Sequence, residues 1–111
     1  MKQYTSKEQT AKLIELGFEK PRYYCADKYT IIHTGFGIIN YSIGELIEML
    51  PEATCRSNND DIHYYITIYN DAMYWNIAYR DSDDELCHIV ADELIDALYD
   101  MVVKLKEEGV I

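Results

Sequence analysis

Four carboxylates in this chain have a spacing that suits a metal site. Glu45 and Glu48 lie one helical turn apart, and so do Glu93 and Asp96. Carboxylate oxygens are the ligands that Mg²⁺ prefers. If the two predicted helices that carry these residues face each other, the four side chains form a Mg²⁺ site. Otherwise they are the solvated acids of two exposed helix faces.

A second set of candidate ligands combines cysteine and histidine. Cys25 and His33 have the same spacing as Cys55 and His63, and a third cysteine, Cys87, follows later in the chain. No pair has the two-to-four residue spacing that is typical of zinc ligands, and there is no Cys-x-x-Cys. An odd number of cysteines also argues against a disulfide framework. We therefore expect three reduced thiols, without a metal or another cofactor.

The segment from Glu93 to Leu98 is similar to the Glu-x-x-Asp segment of the MazG-like all-α nucleoside triphosphate pyrophosphatases. In that family this segment pairs with a Glu-x-x-Glu segment, a role that Glu45 and Glu48 would take here. The family places the two segments on adjacent helices, whereas a predicted hairpin separates them in this chain. The resemblance implies an alternative function, the Mg²⁺-dependent hydrolysis of nucleotides.

The negative charge of the chain is concentrated in its second half. The formal net charge is −10, and residues 81–100 contain eight acidic residues and no Lys or Arg. Such a surface repels phosphate backbones, so we expect no direct binding of nucleic acid. It can attract a basic protein, or it can simply keep a small protein in solution. Because no apolar run reaches the length of a membrane span, we expect a cytoplasmic protein that does not bind membranes.

Two short helices are predicted from capping boxes, in which a Ser or Thr is followed three residues later by Glu or Gln. The first helix runs from about Ser6 to Leu16, capped either by Thr5 with Glu8 or by Ser6 with Gln9. The second begins at Ser42, where Glu45 completes the box, and stops before Pro51. Residues 22–41 between them fit a short strand or an irregular packed loop equally well, and residues 52–61 are a polar connection with a loop at 57–61.

Alternating apolar residues predict a β-hairpin over residues 62–80. A two-residue turn at Asn70-Asp71 would pair Ile68 with Met73 and Ile66 with Trp75, and it would continue with Tyr64 opposite Ile77 and Ile62 opposite Tyr79. All eight side chains would share one face. Because a two-stranded ribbon is marginal alone, it needs a third strand or a helix against it. We expect Trp75 and its neighbours to be buried against the C-terminal helix.

That C-terminal helix is predicted from Asp83 to Glu108, with Gly109 ending it. Apolar residues step by four and three along the stretch, which indicates one continuous buried seam: Cys87, Ala91, Leu94, Leu98, Met101 and Leu105. At ~1.5 Å per residue the helix would be about 39 Å long. The acids at its start and Lys104 and Lys106 near its end suit the helix dipole.

The opposite face of the hairpin combines aromatic and polar side chains: His63, Tyr65, Tyr69, Tyr74 and Asn76. Tyrosines are enriched at recognition surfaces because they are rigid and amphipathic. The face could equally be covered by another helix of the chain, or its side chains could stand singly in solvent.

The order of elements from Tyr41 to Gly109 resembles small uncharacterised proteins of bacteriophages and mobile elements of gut bacteria. The residues that carry the resemblance are 41–47, the Trp75 strand at 75–79, and 93–103. The order of helix, Trp-bearing hairpin and helix also looks like the phage ABA-sandwich domains. The resemblance implies provenance and fold without an established activity.

Together these patterns predict one α+β domain over residues 1–111, with its core in 41–109. Its order is helix, irregular segment, helix, β-hairpin and long C-terminal helix, the hairpin packed against that helix. We expect a non-enzymatic accessory or interaction protein whose acidic face engages a basic surface of another protein, or which associates with itself. The candidate binding residues are Tyr65, Tyr69, Tyr74, Asp92, Asp96 and Asp100.

Overall fold

The computed structural model describes residues 2–21, 40–55, 63–82 and 84–111. Within these ranges it contains three helices and four strands, in the order α1 Lys7–Glu15, α2 Ile43–Met49, β1 Ala53–Cys55, β2 His63–Asn70, β3 Trp75–Arg80, β4 Glu85–Ala91 and α3 Leu94–Glu107. The strands form one antiparallel sheet in the order β1-β2-β3-β4. This confirms the α+β class and the packing of the hairpin against the last helix. The predictions for residues 22–39 and for the loop 57–61 lie outside the described residues.

Both predicted capping boxes are present. Ser6 Oγ accepts a hydrogen bond from Gln9 N–H at 3.1 Å, and Gln9 Oε1 accepts one from Ser6 N–H at 2.9 Å. Ser42 and Glu45 make the same pair of bonds at the start of α2, at 3.2 and 3.3 Å. Of the two caps proposed for α1, the protein therefore uses Ser6 with Gln9. Local hydrogen-bonding chemistry decides where these two helices begin.

The prediction of one helix from Asp83 to Glu108 is wrong for the described residues before Leu94. Glu85–Ala91 is the strand β4, and α3 begins only at Leu94, with Glu93 as its N-cap. The 14 residues of α3 give it a length of about 21 Å rather than 39 Å. Pairing with β3 satisfies the backbone groups on one side of residues 85–91 and supplies the third strand that the hairpin needs.

The predicted register of the hairpin is also wrong, although the residues within β2 and β3 lie on the faces that alternation predicts. Ile68 pairs with Ile77 and Ile66 with Tyr79, while Trp75 pairs with Asn70. Four residues, 71–74, form the connection in place of a two-residue turn. Each partner is displaced by four residues, an even number, so the predicted apolar residues that lie within β2 and β3 still share the face toward the helices. Met73 does not share it, because it lies in the connection and is 74 % exposed. The predicted pairing of Ile62 with Tyr79 involves a residue outside the described ranges.

Side-chain hydrogen bonds explain the longer connection between β2 and β3. Asp71 Oδ1 accepts hydrogen bonds from Met73 N–H at 3.2 Å and Tyr74 N–H at 2.9 Å, and Asn70 Oδ1 accepts one from Ala72 N–H at 2.8 Å. Ala72 has a φ of 82°, in the left-handed region. Asn and Asp favour such turns because their side chains replace backbone partners.

The strand β1 was missed within the predicted polar connection. Ala53, Thr54 and Cys55 pair with Tyr65, Tyr64 and His63 of β2. Three residues carry too little alternation to indicate a strand from sequence. Tyr79 helps to hold this edge, because its hydroxyl donates a hydrogen bond to Pro51 O at 2.7 Å.

The core lies between the sheet and the helices α2 and α3. Its fully buried residues come from every layer: Leu13, Tyr41, Leu46, Ile77, Tyr79, Ile95, Leu98, Met101, Val102 and Leu105. Leu13 shows that α1 belongs to the same core, which therefore extends beyond the predicted 41–109. Trp75 packs against the core from its margin and is only partly buried. In the described ranges, no helix is both long enough and apolar enough for a membrane crossing.

Candidate functional site: the face of the sheet opposite the last helix

One face of the sheet packs on α3, and the other carries the candidate site. Cys87 lies on the packed face, where its Sγ is 3.7 Å from Met101 Sδ of α3. Because side chains alternate along a strand, the neighbours of these core residues point to the other side. We call this surface the sheet face; it consists of Tyr65, Thr67 and Tyr69 of β2, Asn76, Ala78 and Arg80 of β3, and His88 and Val90 of β4.

Asn76 is the buried centre of the sheet face. Only 3 % of its surface is exposed, although it points away from the core. Its Oδ1 lies 2.8 Å from His88 Nε2, and its Nδ2 donates to Asp71 Oδ2 and to Tyr74 O, both at 3.2 Å. The backbone N–H of Tyr74, the Asn76 amide and the backbone N–H of Met73 together lower the pKa of Asp71. This set of hydrogen bonds fixes the hairpin loop against β4.

A second group of contacts spans the other end of the sheet face. Arg80 Nε donates to Glu85 Oε2 at 2.8 Å, and Arg80 Nη2 donates to the Tyr69 hydroxyl at 3.0 Å. The guanidinium carbon also lies 5.3 Å from the centre of the Tyr69 ring, within cation–π range. Glu85 Oε1 is 3.2 Å from His88 Nδ1, so both ring nitrogens of His88 face oxygen acceptors. The two groups thus form one network across β2, β3 and β4.

Large side chains remain exposed around this network. Tyr65 is 55 % exposed and Val90 50 %, while Met73 and Tyr74 of the hairpin loop are 74 % and 40 % exposed. Of the predicted tyrosines, Tyr69 is held by Arg80, whereas Tyr65 and Tyr74 present their rings to solvent. A surface with fixed polar groups and exposed aromatic rings is suited to binding another macromolecule.

Acidic residues stand at both ends of the sheet face. Asp71 belongs to the β2–β3 loop and Asp92 directly follows β4, so both lie at the same end. Asp81 and Asp84 occupy the β3–β4 turn at the opposite end, where Asp84 N–H donates to Asp81 Oδ1 at 2.6 Å. The Asp84 carboxylate also accepts a hydrogen bond from Tyr64 at 3.1 Å.

The predicted acidic residues of α3 do not join the sheet face, because α3 lies on the other side of the sheet. Asp96 Oδ1 accepts hydrogen bonds from Lys2 Nζ at 3.0 Å and Gln9 Nε2 at 2.9 Å, and Glu93 accepts one from Lys2 N–H at 3.0 Å. Burial, and then the neighbouring Asp96 carboxylate, raise the pKa of Asp100. The six candidate binding residues therefore divide between two surfaces, and Asp96 fastens the N-terminal segment to α3.

The four carboxylates of the predicted Mg²⁺ site do not form one site, because they bind different partners. Glu45 closes the cap of α2, while Glu93 and Asp96 bind Lys2 and Gln9. Glu48 also has an interaction partner. Across the residues that the structure describes, no three His, Cys, Asp or Glu side chains are grouped so as to hold a metal ion.

The described cysteine side chain, Cys87, is a free thiol. Burial raises the pKa of this thiol, which favours the protonated form over a nucleophilic thiolate. The predictions for the side chains of Cys25 and Cys55 fall outside the described residues.

A cleft of about 270 Å³ opens at the end of α1, beside Tyr41 and α2. Its walls include Phe18, Tyr41 and Met49, together with Glu45 and Glu48. The Tyr41 hydroxyl donates a hydrogen bond to Glu19 O, and burial, followed by the charge of Glu45, raises the pKa of Tyr41. Because both carboxylates have partners, the cleft does not present a free acidic pair.

The sequence reasoning missed Arg80, His88 and Val90 as members of the candidate site. His88 and Val90 join the site only because β4 pairs with β3, and β4 was predicted to be helical. Arg80 contacts Tyr69 within the hairpin. The alternation of Cys87, Ile89 and Ala91 against His88 and Val90 is the signal that could have found them.

No protein family model, curated protein or solved structure matches the chain. The resemblance to phage and mobile-element proteins stays a prediction.

Proposed function

We propose that the protein is a non-enzymatic interaction protein that binds a basic partner protein through the sheet face. The observation that supports this proposal is the exposure of Tyr65, Tyr74 and Val90 around a hydrogen-bonded polar network. Interfaces are enriched in such aromatic anchors, and rigid ones lose little conformational entropy on binding.

The polar groups of the sheet face favour a binding role over catalysis. Arg80, Glu85, His88 and Asn76 are engaged with one another, and Asn76 is almost fully buried. Side chains that satisfy each other are held in fixed positions and give the surface a defined shape. The network is therefore a support for the tyrosines rather than a set of reactive groups awaiting a substrate.

The charge of the protein supports a basic partner. The chain carries a formal net charge of −10, and the acids Asp71, Asp81, Asp84 and Asp92 stand at the ends of the sheet face. Complementary charge accelerates association and selects against acidic competitors. It also disfavours nucleic acid, whose phosphates would be repelled.

Truncation of the exposed tyrosines tests the proposal. Proteins retained by the immobilised wild type are identified, purified and titrated by calorimetry against wild type and the double variant Tyr65→Ala/Tyr74→Ala. We expect a partner rich in Lys and Arg, whose binding weakens by about 10- to 100-fold in the double variant, since aromatic anchors dominate interface energies.

Tyr4→Ala is the matched control, because Tyr4 is also exposed, at 39 %, but pairs with Ser42 beside α2. It should leave the affinity for the partner unchanged. Equal affinity of wild type and the double variant would contradict the role of the sheet face. An acidic or nucleic-acid partner would contradict the charge argument.

A further inference from the structure

Among the strands that the structure describes, β4 is the outermost at one edge of the sheet. It pairs with β3 on one side, and none of the described residues pairs with it on the other. Its seven residues, Glu85–Ala91, include no proline. The outer edge of such a strand presents alternate N–H and C=O groups that can pair with another chain.

The two edges of the sheet differ in what they offer. At the opposite edge, β1 has three residues, which is too short for an extended pairing. β4 is regular from Cys87 to Ala91, and its one irregularity lies at its beginning, beside Tyr79 and Arg80. A partner strand can therefore follow β4 for at least five residues before it reaches the bulge.

Acidic residues bracket β4 in the sequence and in the fold. Asp81 and Asp84 form the turn that precedes it, with Glu85 as its first residue. Asp92 and Glu93 follow its last residue. Arg80 is bonded to Glu85, and the Tyr64 hydroxyl donates to Asp84. Lys2 is bonded to Asp96 and reaches Glu93 only through its backbone N–H, while Asp92 is exposed. Among the described residues, acidic side chains therefore outnumber basic ones at both ends of the edge.

This charge pattern decides between two occupants. A second copy would pair its β4 antiparallel about a twofold axis, as isologous dimers do. That arrangement sets Asp84 of one copy against Asp92 and Glu93 of the other, and like charges placed opposite each other are unfavourable. A segment with Lys or Arg at both ends would instead meet opposite charge at each end of β4.

We propose that β4 accepts an extended segment of a partner protein as a fifth strand, with a β-branched or apolar centre and basic residues at both ends. This inference rests on the proposed function and specifies how part of the partner binds. Side chains of the added strand that point to the sheet face would lie beside His88 and Val90, two exposed residues of β4 on that face. Backbone pairing provides the affinity, and the flanking charges provide the selectivity.

The test uses a peptide with alternating Val and Thr over seven residues and two Lys at each end. It is titrated into ¹⁵N-labelled full-length protein, and amide hydrogen exchange is followed residue by residue. We expect exchange to slow in Glu85–Ala91 and to be unchanged in β1. The same peptide with Glu in place of Lys should have an affinity that is lower by at least about tenfold.

N-methylation of the peptide separates strand pairing from charge attraction alone. Alternate N–H groups of an added strand face β4, and the others face solvent. Methylation of one alternate set should abolish binding, and methylation of the other set should leave it intact. Equal effects of the two sets would overturn the inference.

Two protein variants test whether the acidic residues beside β4, rather than the overall negative charge, attract the peptide. Asp92→Lys should weaken peptide binding by roughly threefold to tenfold. Asp100→Lys makes the same charge change on α3, on the other side of the sheet, and should change binding little. Equal losses in both variants would point to general charge attraction and overturn the site.

Sedimentation of the protein alone tests the other occupant. A monomer is expected, and a dimer with slowed exchange in β4 would replace the partner segment with a second copy. If the peptide leaves β4 exchange unchanged while Tyr65→Ala/Tyr74→Ala still loses the natural partner, the edge inference fails and the proposed function stands. If the peptide pairs with β4 but Tyr65→Ala/Tyr74→Ala binds the natural partner as wild type does, the proposed role of the sheet face is contradicted and strand addition at β4 is supported.

Discussion

His88 Nε2 lies 2.8 Å from Asn76 Oδ1 on the sheet face, across the pair β3–β4. The same asparagine donates to Asp71 in the hairpin loop and to Tyr74 O. Asn76 therefore couples the loop that carries Tyr74 to the edge strand that carries Val90. Its burial at 3 % exposure makes each of these hydrogen bonds matter for stability, because unpaired polar groups are costly when water is excluded.

We expect Asn76→Ala to lower the free energy of unfolding by about 1–3 kcal/mol, since it removes several partly buried hydrogen bonds. Urea denaturation followed by circular dichroism measures the change. Tyr65→Ala, on the same face but exposed, should stay within about 0.5 kcal/mol of wild type. Similar losses for both variants would mean that Asn76 does not organise the sheet face.

The backbone of the hairpin loop gives a prediction of opposite sign. Ala72 has a φ of 82°, a conformation that glycine adopts without the steric cost imposed by a Cβ. Ala72→Gly should therefore raise the free energy of unfolding by up to about 1 kcal/mol. Ala11→Gly, on the exposed side of α1, is the matched control. This variant should lower the free energy of unfolding by about 1 kcal/mol. A loss at both positions would show that the loop gains nothing from glycine.

The helix starts could be predicted because their causes are local. Ser6 and Ser42 each find a partner three residues away, so a short stretch of sequence contains the whole interaction. The assignment of β4 depended on more distant partners. Cys87 and Ala91 are four residues apart, which fits one face of a helix and equally one face of a strand. What decides for a strand is that β3, already paired with β2 on one side, offers its other side to residues 85–91.

The candidate site was predictable only where it depends on alternation within one hairpin. Tyr65 and Tyr69 were assigned to the correct face because the register error was an even number of residues, whereas Tyr74 lies in the hairpin loop. The contacts of Arg80 with Glu85, and of His88 with Asn76, require β4 to be a strand. The bond of Asp96 to Lys2 joins residues at opposite ends of the chain, and no local pattern indicates it.

Tyr79 provides a prediction for alkaline pH. Burial, with a smaller contribution from Cys87, raises the pKa of Tyr79 well above its usual value of 10.0. A raised folded-state pKa means that the folded protein holds this proton more tightly than the unfolded chain does. Its contribution to stability is therefore complete below about pH 10 and is lost as the pH rises toward the folded-state pKa. Tyr41 and Tyr99 are shifted in the same direction.

We expect Tyr79→Phe to cost about 1–2 kcal/mol at pH 7, because the hydrogen bond to Pro51 O is lost. The decline in stability above pH 10 should be shallower in this variant than in wild type. Denaturant midpoints from pH 7 to pH 11 measure both effects. Ile95→Val is the control, since it weakens the core while it keeps every tyrosine and should retain the wild-type slope. An unchanged slope in Tyr79→Phe would contradict the assignment.

Asp100 gives a prediction for neutral and acid pH. Burial and the neighbouring Asp96 raise its pKa, so its negative charge opposes folding at neutral pH. Asp100→Asn should increase the free energy of unfolding at pH 7 by less than about 1 kcal/mol, and the gain should disappear below the unfolded pKa, near pH 4. Asp92→Asn removes the same charge from the turn before α3 and should give a smaller gain. A loss of stability in Asp100→Asn would show that the carboxylate has a favourable partner.

The last prediction separates the interaction protein from the alternative hydrolase. Glu45 closes a helix cap, while Glu93 and Asp96 are bonded to the N-terminal segment and α1. Specific Mg²⁺ binding would stabilise the fold by RT ln(1 + [L]/Kd), about 2.7 kcal/mol at a hundredfold excess over Kd. We expect Mg²⁺ to raise the melting temperature no more than NaCl of equal ionic strength, because both salts only screen the acidic surface.

Glu93→Gln and Asp92→Asn provide the matched comparison, since each removes one negative charge beside the start of α3. Both variants should respond to the two salts as wild type does. A rise in melting temperature that requires Mg²⁺, occurs in wild type and Asp92→Asn, and vanishes in Glu93→Gln would establish a metal site. That outcome would favour the hydrolase, because the Glu93 carboxylate would then be a ligand rather than a partner of Lys2.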